Sequence, residues 1–238
     1  SYTDYIIVYI EIKVLQGGLN MDKKTEEISQ PLSNTLFTAI QKDILSGKIK
    51  SGEKLTEQRI CKQYDVSRTP VREALRQLEA DGLIENIPHR GAFAIGLSRR
   101  DISDLFDLRA QFEMKAVEWA IQRMDEEGVD KLRENIEFME FYTMKGDVEK
   151  VLSFNSQFHD IIYNGTQNRM LYQTLHTYQT YLKHSAPPKT FSDDYLNTIL
   201  AEHRAIFNAF ETKNPDEGRE AMQVHMDHSK LRRMSKFF

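Results

Sequence analysis

Three histidines and an asparagine stand where helical spacing can bring them to one point. Asn155 and His159 lie four residues apart in VLSFNSQFHDII, on one face of a helix. His203, in AEHRAIFNAF, and His225, in REAMQVHM, belong to two helices joined by a short turn at 212–215, so these helices are expected to run antiparallel. The two histidines stand about equally far from that turn and can face each other. Neutral imidazoles with one oxygen ligand suit a divalent transition ion, zinc or nickel above all. The competing reading is plain packing, with His159 and His203 as buried or interfacial histidines.

A second set of residues suits nucleic acid. In VSRTPVREALRQLEADG, Arg68, Arg72 and Arg76 recur at every fourth position, while Val71, Ala74, Leu75 and Leu78 occupy the neighbouring face. Arginine forks match guanine O6 and N7 in the major groove. The stripe starts at a helix N-terminus, where backbone N–H groups and the dipole favour phosphate. The alternative is a stripe that merely solvates a surface helix.

The elements that position these arginines are marked locally. Ser67 or Thr69 can cap the helix, Pro70 sits in its first turn, and Gly82 stops it. Upstream, Thr56 caps a short amphipathic segment carrying Ile60, Cys61 and Tyr64, and the connection at Asp65 and Val66 permits only a tight turn. Downstream, Leu83–Ile87 and Ala92–Ile95 flank Pro88-His89-Arg90-Gly91 and read as two strands about a turn, with His89 and Arg90 as a second basic tip. The pattern is a helix-turn-helix followed by a wing.

From Ser98 the texture becomes helical throughout. Ser98 and Asp101 begin a capping box, and Ile102, Leu105, Phe106, Leu108, Phe112, Ala116 and Trp119 form an apolar stripe running to about Met124. Further helices are expected near Asp130–Thr143, Asp147–Tyr163, Asn168–His184, Ser192–Thr212 and Pro215–Lys236, with breaks at Pro187-Pro188 and Asn214-Pro215. No strand-like run intervenes. The fold class is therefore mainly α: a winged helix-turn-helix over 31–96 and an all-α bundle over 97–238. Residues 1–30 are set apart as an N-terminal extension, in which 1–20 read as a leader before a natural start at Met21. If ordered, its run of β-branched and aromatic residues is a strand seeking a sheet edge.

Composition fits this division. The chain has 238 residues, 40% hydrophobic and 29% charged, with one cysteine, which rules out a disulfide framework. The formal net charge of −4 is unevenly spread. Residues 21–96 hold twelve basic and eleven acidic side chains, and residues 97–238 hold nineteen and twenty-three. Local basicity at the reading head thus survives an acidic whole. The leader is too short and too charged to span a membrane, and a cytoplasmic location is expected.

From Leu36 to Ile95 the chain resembles the DNA-binding domain of GntR-family transcription regulators, most closely in SRTPVREALRQLEADGLIENIPHRGAFAI. The resemblance implies DNA contacts from Ser67, Arg68, Thr69, Arg72, His89 and Gly91, beside which Arg76 and Arg90 are candidates by position. Where relatives carry Arg and then an acidic or polar residue, this chain has Gln58 and then Arg59, so one usual contact is expected to shift or change chemistry at Arg59. The segments DLFDLRAQFEMKAVEWA, FNSQFHDIIYNGTQN and EHRAIFNAFETKNPDEGREAMQVHM resemble the FCD ligand-binding domain of the FadR-type branch. That resemblance implies a divalent metal held by Asn155, His159, His203 and His225. The neutral amide of Asn155 replaces a commoner aspartate.

The expectation is a ligand-responsive regulator: a homodimer whose two winged heads read an inverted repeat in double-stranded DNA, and whose bundles bind a small carboxylate at a metal. Arg109, in DLRAQFE, is the candidate for a second contact to that carboxylate; its alternative role is to pair with Glu113 one turn later. The runner-up, a metal-dependent hydrolase fused to a DNA-binding head, lacks a recognisable general base. No HExxH, nucleophile elbow or Gly-rich phosphate loop occurs, so no enzyme is expected.

Overall fold

A computed structural model describes residues 32–185 and 193–235. Contacts divide the chain into two units, the division along the main run falling between Leu97 and Ser98. The leader over 1–20 lies outside the described residues.

The first unit opens with α1 (Leu32–Leu45), which periodicity reading had not singled out. It buries Leu36, Ile40 and Ile44 at four-residue spacing and packs against α3. Strand β1 (Lys54–Leu55) follows, then α2 (Glu57–Tyr64), capped by the Thr56 side chain on the Arg59 N–H. Asp65 closes α2 in the left-handed region, which short polar side chains tolerate, and Val66 leads into α3 (Arg68–Ala80). Helix α3 buries Val71, Ala74, Leu75 and Leu78, the face expected. Gly82, at φ +70°, lets the chain turn after it.

The wing consists of β2 (Ile84–Ile87) and β3 (Gly91–Ala94), antiparallel with Ile84 opposite Ala94 and Ile87 opposite Gly91. It is larger than the hairpin expected, because β1 pairs with the outer edge of β3, Lys54 opposite Phe93, giving the order β1-β3-β2. Two residues are too few to show an alternating pattern, so this strand was invisible to periodicity.

The second unit is all α among the described residues: α4 (Arg99–Arg123), α5 (Glu126–Met144), α6 (Val148–Gly165), α7 (Arg169–His184), α8 (Asp193–Glu211) and α9 (Pro215–Met234). Bounds match the sequence expectation within a few residues. The largest difference is α5, which begins at Glu126 because Asp125 caps the Gly128 N–H and two glutamates favour its first turn. Packing pairs α9 with α4 and α8, and α6 with α5 and α4. Phe158, Leu132, Met139, Ile162, Tyr163, Ile206 and Met222 fill the interior. No helix of the described residues is long and apolar enough to cross a membrane.

Helix α4 depends on a complete capping box at its start: the Ser98 hydroxyl accepts from the Asp101 N–H at 3.1 Å, and the Asp101 carboxylate accepts from the Ser98 N–H at 2.8 Å. Ser98→Ala is expected to cost about 1 kcal/mol of stability in the helical unit. Urea unfolding followed by helical circular dichroism measures it, and Ser98→Thr should keep most of the loss from appearing.

Candidate functional site

On the first unit, α3 and the wing border a concave surface lined by Arg72, Arg76, Asn86, His89, Arg90 and Gly91, together with Lys54 and Thr56. The turn of the wing places His89 at φ +62° and Gly91 at φ +96°, so the tip is a tight loop with His89 and Arg90 exposed. Arg90 and Lys54 both approach the Phe93 ring, at 5.5 and 5.9 Å, which brings two cations to one aromatic ring. Lys54 was missed in the sequence because it belongs to β1. Ser67, Arg68 and Thr69 are exposed at the N-terminus of α3, outside the concave surface. Two arginines are held by carboxylates of the same unit: Arg72 Nε meets Glu57 at 2.7 Å, and Arg59 meets Glu53 at 2.8 Å. Arg59 is exposed and sits beside the Thr56 cap, off the concave surface.

On the second unit, α6, α8 and α9 bring His159, His203 and His225 together, with one ring nitrogen of each within 4.8 Å of the others. All three are buried. The outward nitrogens are engaged: His159 Nδ1 meets Glu113 at 3.2 Å, His225 Nδ1 meets Glu202 at 2.8 Å, and His203 Nδ1 meets the Ile199 carbonyl at 2.8 Å. Carboxylates and carbonyls only accept, so each Nδ1 donates, and in the neutral ring each Nε2 keeps a lone pair. His159 Nε2 and His225 Nε2 face each other at 3.2 Å, and His203 Nε2 is buried without a partner. Three buried inward lone pairs are satisfied together by a cation, so the residues present fit a divalent metal.

Beside this cluster lies a cavity of about 530 Å³. His225, Asn155 and Arg109 line it, with Phe106, Tyr195, Gln179, Ser229, Arg232 and Arg233. Asn155 sits one turn before His159 on α6 and is half-buried. Arg109 lines the cavity and pairs with the fully buried Glu113 at 2.7 Å, the alternative role expected of it. Tyr163 also donates to Glu113. Glu202 receives Arg232 through both nitrogens at 2.8 Å and His228 at 2.7 Å, so His228 has a partner that sequence reading did not find.

The electrostatics follow from burial and pairing. Burial, with the neighbouring imidazoles, holds His203 well below the usual histidine range. Burial also lowers His225, to about 4, against the pull of Glu202. Burial alone would raise Glu113, but His159 and Arg109 bring it below the usual carboxylate range. Arg232 and His225 outweigh burial in the same way at Glu202.

Comparison with known proteins places both units. Residues 32–94 match the family described as bacterial regulatory proteins, gntR family, and residues 104–228 match the FCD domain. The chain belongs to the GntR family of transcription regulators. The FCD match alone takes in more than half of the chain, and the family consists of DNA-binding regulators, not enzymes. It is 29% identical to the uncharacterized HTH-type transcriptional regulator YdhC of Bacillus subtilis, over 87% of this chain and 91% of that one. It is 28% identical to the gluconate operon transcriptional repressor of Bacillus licheniformis, over 73% of each. Among solved structures it resembles E. coli McbR/YncC, with a TM-score of 0.70 and 18% identity, over 88% of this chain and 100% of that one; this likeness concerns the fold.

The depressed groups give this GntR-family chain a definite acid response. In the metal-free protein, unfolded histidines take up protons near 6.5, whereas folded His225 resists until about 4, so stability is lost as pH falls between these values. Glu113 and Glu202 extend the loss through and below the ordinary carboxylate range, about 4.3. Urea midpoints measured from pH 7.5 to 4 should fall steadily, and His225→Gln should flatten the upper part of the curve.

Proposed function

We propose that this GntR-family regulator is a homodimer that reads an inverted repeat and is controlled by a small carboxylate bound at a divalent metal in its helical unit. The observation that carries the metal reading is the inward set of three Nε2 lone pairs, each fixed by an outer acceptor. His159, His203 and His225 would hold the ion, with the Asn155 amide oxygen as a fourth donor. A three-imidazole site suits zinc or nickel. When bound, the ion supplies a Lewis-acid anchor for a carboxylate. One relative is the repressor of a gluconate operon, and gluconate is an acid of the class proposed.

The chain's own residues do the rest. The cavity next to His225 offers apolar walls from Phe106 and Tyr195 and neutral hydrogen-bonding groups from Asn155, Gln179 and Ser229, which suits a small oxygen-rich acid. In the reading head, Arg68, Arg72 and Arg76, with Ser67 and Thr69, face the major groove and its phosphates. His89, Arg90 and Gly91 of the wing, and Arg59, take the flanking backbone. Two-fold pairing sets the two recognition helices one groove repeat apart, and an effector that alters that spacing through residues 96–100 changes operator affinity. Such a protein works in the cytoplasm, where its DNA is.

Two outcomes are expected. Purified protein should carry close to one divalent ion per chain, and His203→Ala should lose it. Elemental analysis checks this, and thermal shifts with a panel of small acids should be seen in the wild type only. Metal-free wild-type protein that takes up neither zinc nor nickel would refute the metal reading. Arg72→Ala should weaken operator binding by about 1–3 kcal/mol without unfolding the head, measured by titration at two salt concentrations. Unchanged affinity would remove α3 as the reader.

A further inference from the structure

We propose that Glu113 and Glu202 are positioning residues for the metal, each fixing one imidazole so that its Nε2 lone pair points at the ion; this rests on the metal reading above. The carboxylates divide their oxygens in a way that favours this role. Glu113 gives Oε1 to Arg109 and Tyr163 and keeps Oε2 for His159 Nδ1. Glu202 receives both nitrogens of the Arg232 fork and adds His225 Nδ1 on Oε2. A carboxylate that only neutralised an arginine would need no histidine. The two sites repeat one construction on different helices: an arginine clamps a buried carboxylate, and the carboxylate clamps a histidine.

The consequence for the ligands is electronic as well as geometric. An imidazole that donates Nδ1–H to an anion is a stronger base at Nε2 and cannot adopt the other tautomer at low cost. His203 differs, because a neutral carbonyl, that of Ile199, takes its proton. The ion would thus be held by two strengthened imidazoles and one ordinary one, beside the Asn155 oxygen. Arg109 and Arg232 also line the cavity, so the groups that steady the metal ligands form part of the wall an effector touches. Arg109 acts here as the clamp on Glu113, committed to it through Nε at 2.9 Å and Nη2 at 2.7 Å.

Glu202 is the better residue for a test, because Glu113 is fully buried in the core. Glu202→Gln and Glu202→Asp are made in the full chain, and zinc affinity is measured by competition with a chelator. The melting temperature is recorded with and without zinc. Glu202→Gln should bind zinc about 10–100-fold more weakly. Glu202→Asp, which keeps the charge but draws it back from His225, should weaken it less. In both, the zinc-induced rise in melting temperature should shrink. A purely structural role would lower the melting temperature with and without zinc alike and leave the difference intact. Wild-type zinc affinity in folded Glu202→Gln overturns the positioning role while leaving the metal site standing. Absence of zinc binding by the wild type overturns both.

Discussion

A carboxylate removed from water must be surrounded by donors, and the helical unit is arranged around two such groups. Glu113 is wholly buried, and isolated burial would be prohibitive, so Arg109, Tyr163 and His159 converge on it from α4 and α6. Glu202 imposes the same demand on α8 and α9 through His225, His228 and Arg232. Once these donors are committed outward, the inward nitrogens of two histidines have no freedom left. The geometry of the candidate metal centre is a by-product of satisfying two buried charges.

The reading head solves a milder version of the same problem. Its arginines are exposed, and several rest on carboxylates of their own unit, Arg72 on Glu57 and Arg59 on Glu53. Such exposed pairs are weak in water and readily exchanged for phosphate. This explains how a head with nearly balanced charge can serve a polyanion. The cations barely outnumber the carboxylates, but several are gathered on the α3 and wing side, where exposed ion pairs are weak enough to be displaced.

Much of this was legible in the sequence, for identifiable reasons. The helices of the second unit announce themselves by caps and by 3.6-residue periodicity, and α3 by its apolar face and Gly82. His203 and His225 were paired because spacing from a short turn predicts which residues of antiparallel helices meet, and His159 joined them through its four-residue spacing from Asn155 and the resemblance to the FCD domain. Glu113 and Glu202 were not recognised as orienting groups, since a glutamate in a helix usually faces water and nothing in local pattern marks a buried one. Glu202 adjoins His203 in sequence, whereas the histidine it meets is His225 on the next helix. Lys54 and β1 escaped because a two-residue strand has no period, and α1 was passed over although Leu36, Ile40 and Ile44 keep helical spacing.

Helix α4 ties the site to the junction between the units. Glu113 and Arg109 lie near its middle, and Ser98, its N-cap, is the first residue of the helical unit. Fifteen residues separate Ser98 from Glu113, which in a continuous α-helix is a rigid span of about 22 Å. Helix α9, which carries His225 and Arg232, packs along the same α4. A change in how the cavity holds Arg109 or Arg232 therefore bears on α4 from two sides, directly through Glu113 and across the α9 interface. The capping box keeps the first turn of that helix from fraying, so the segment that carries Arg109 and Glu113 starts from a fixed end. Side chains on helices keep their positions more closely than side chains on loops, and the three imidazoles, the two carboxylates and the two arginines that hold them all stand on helices.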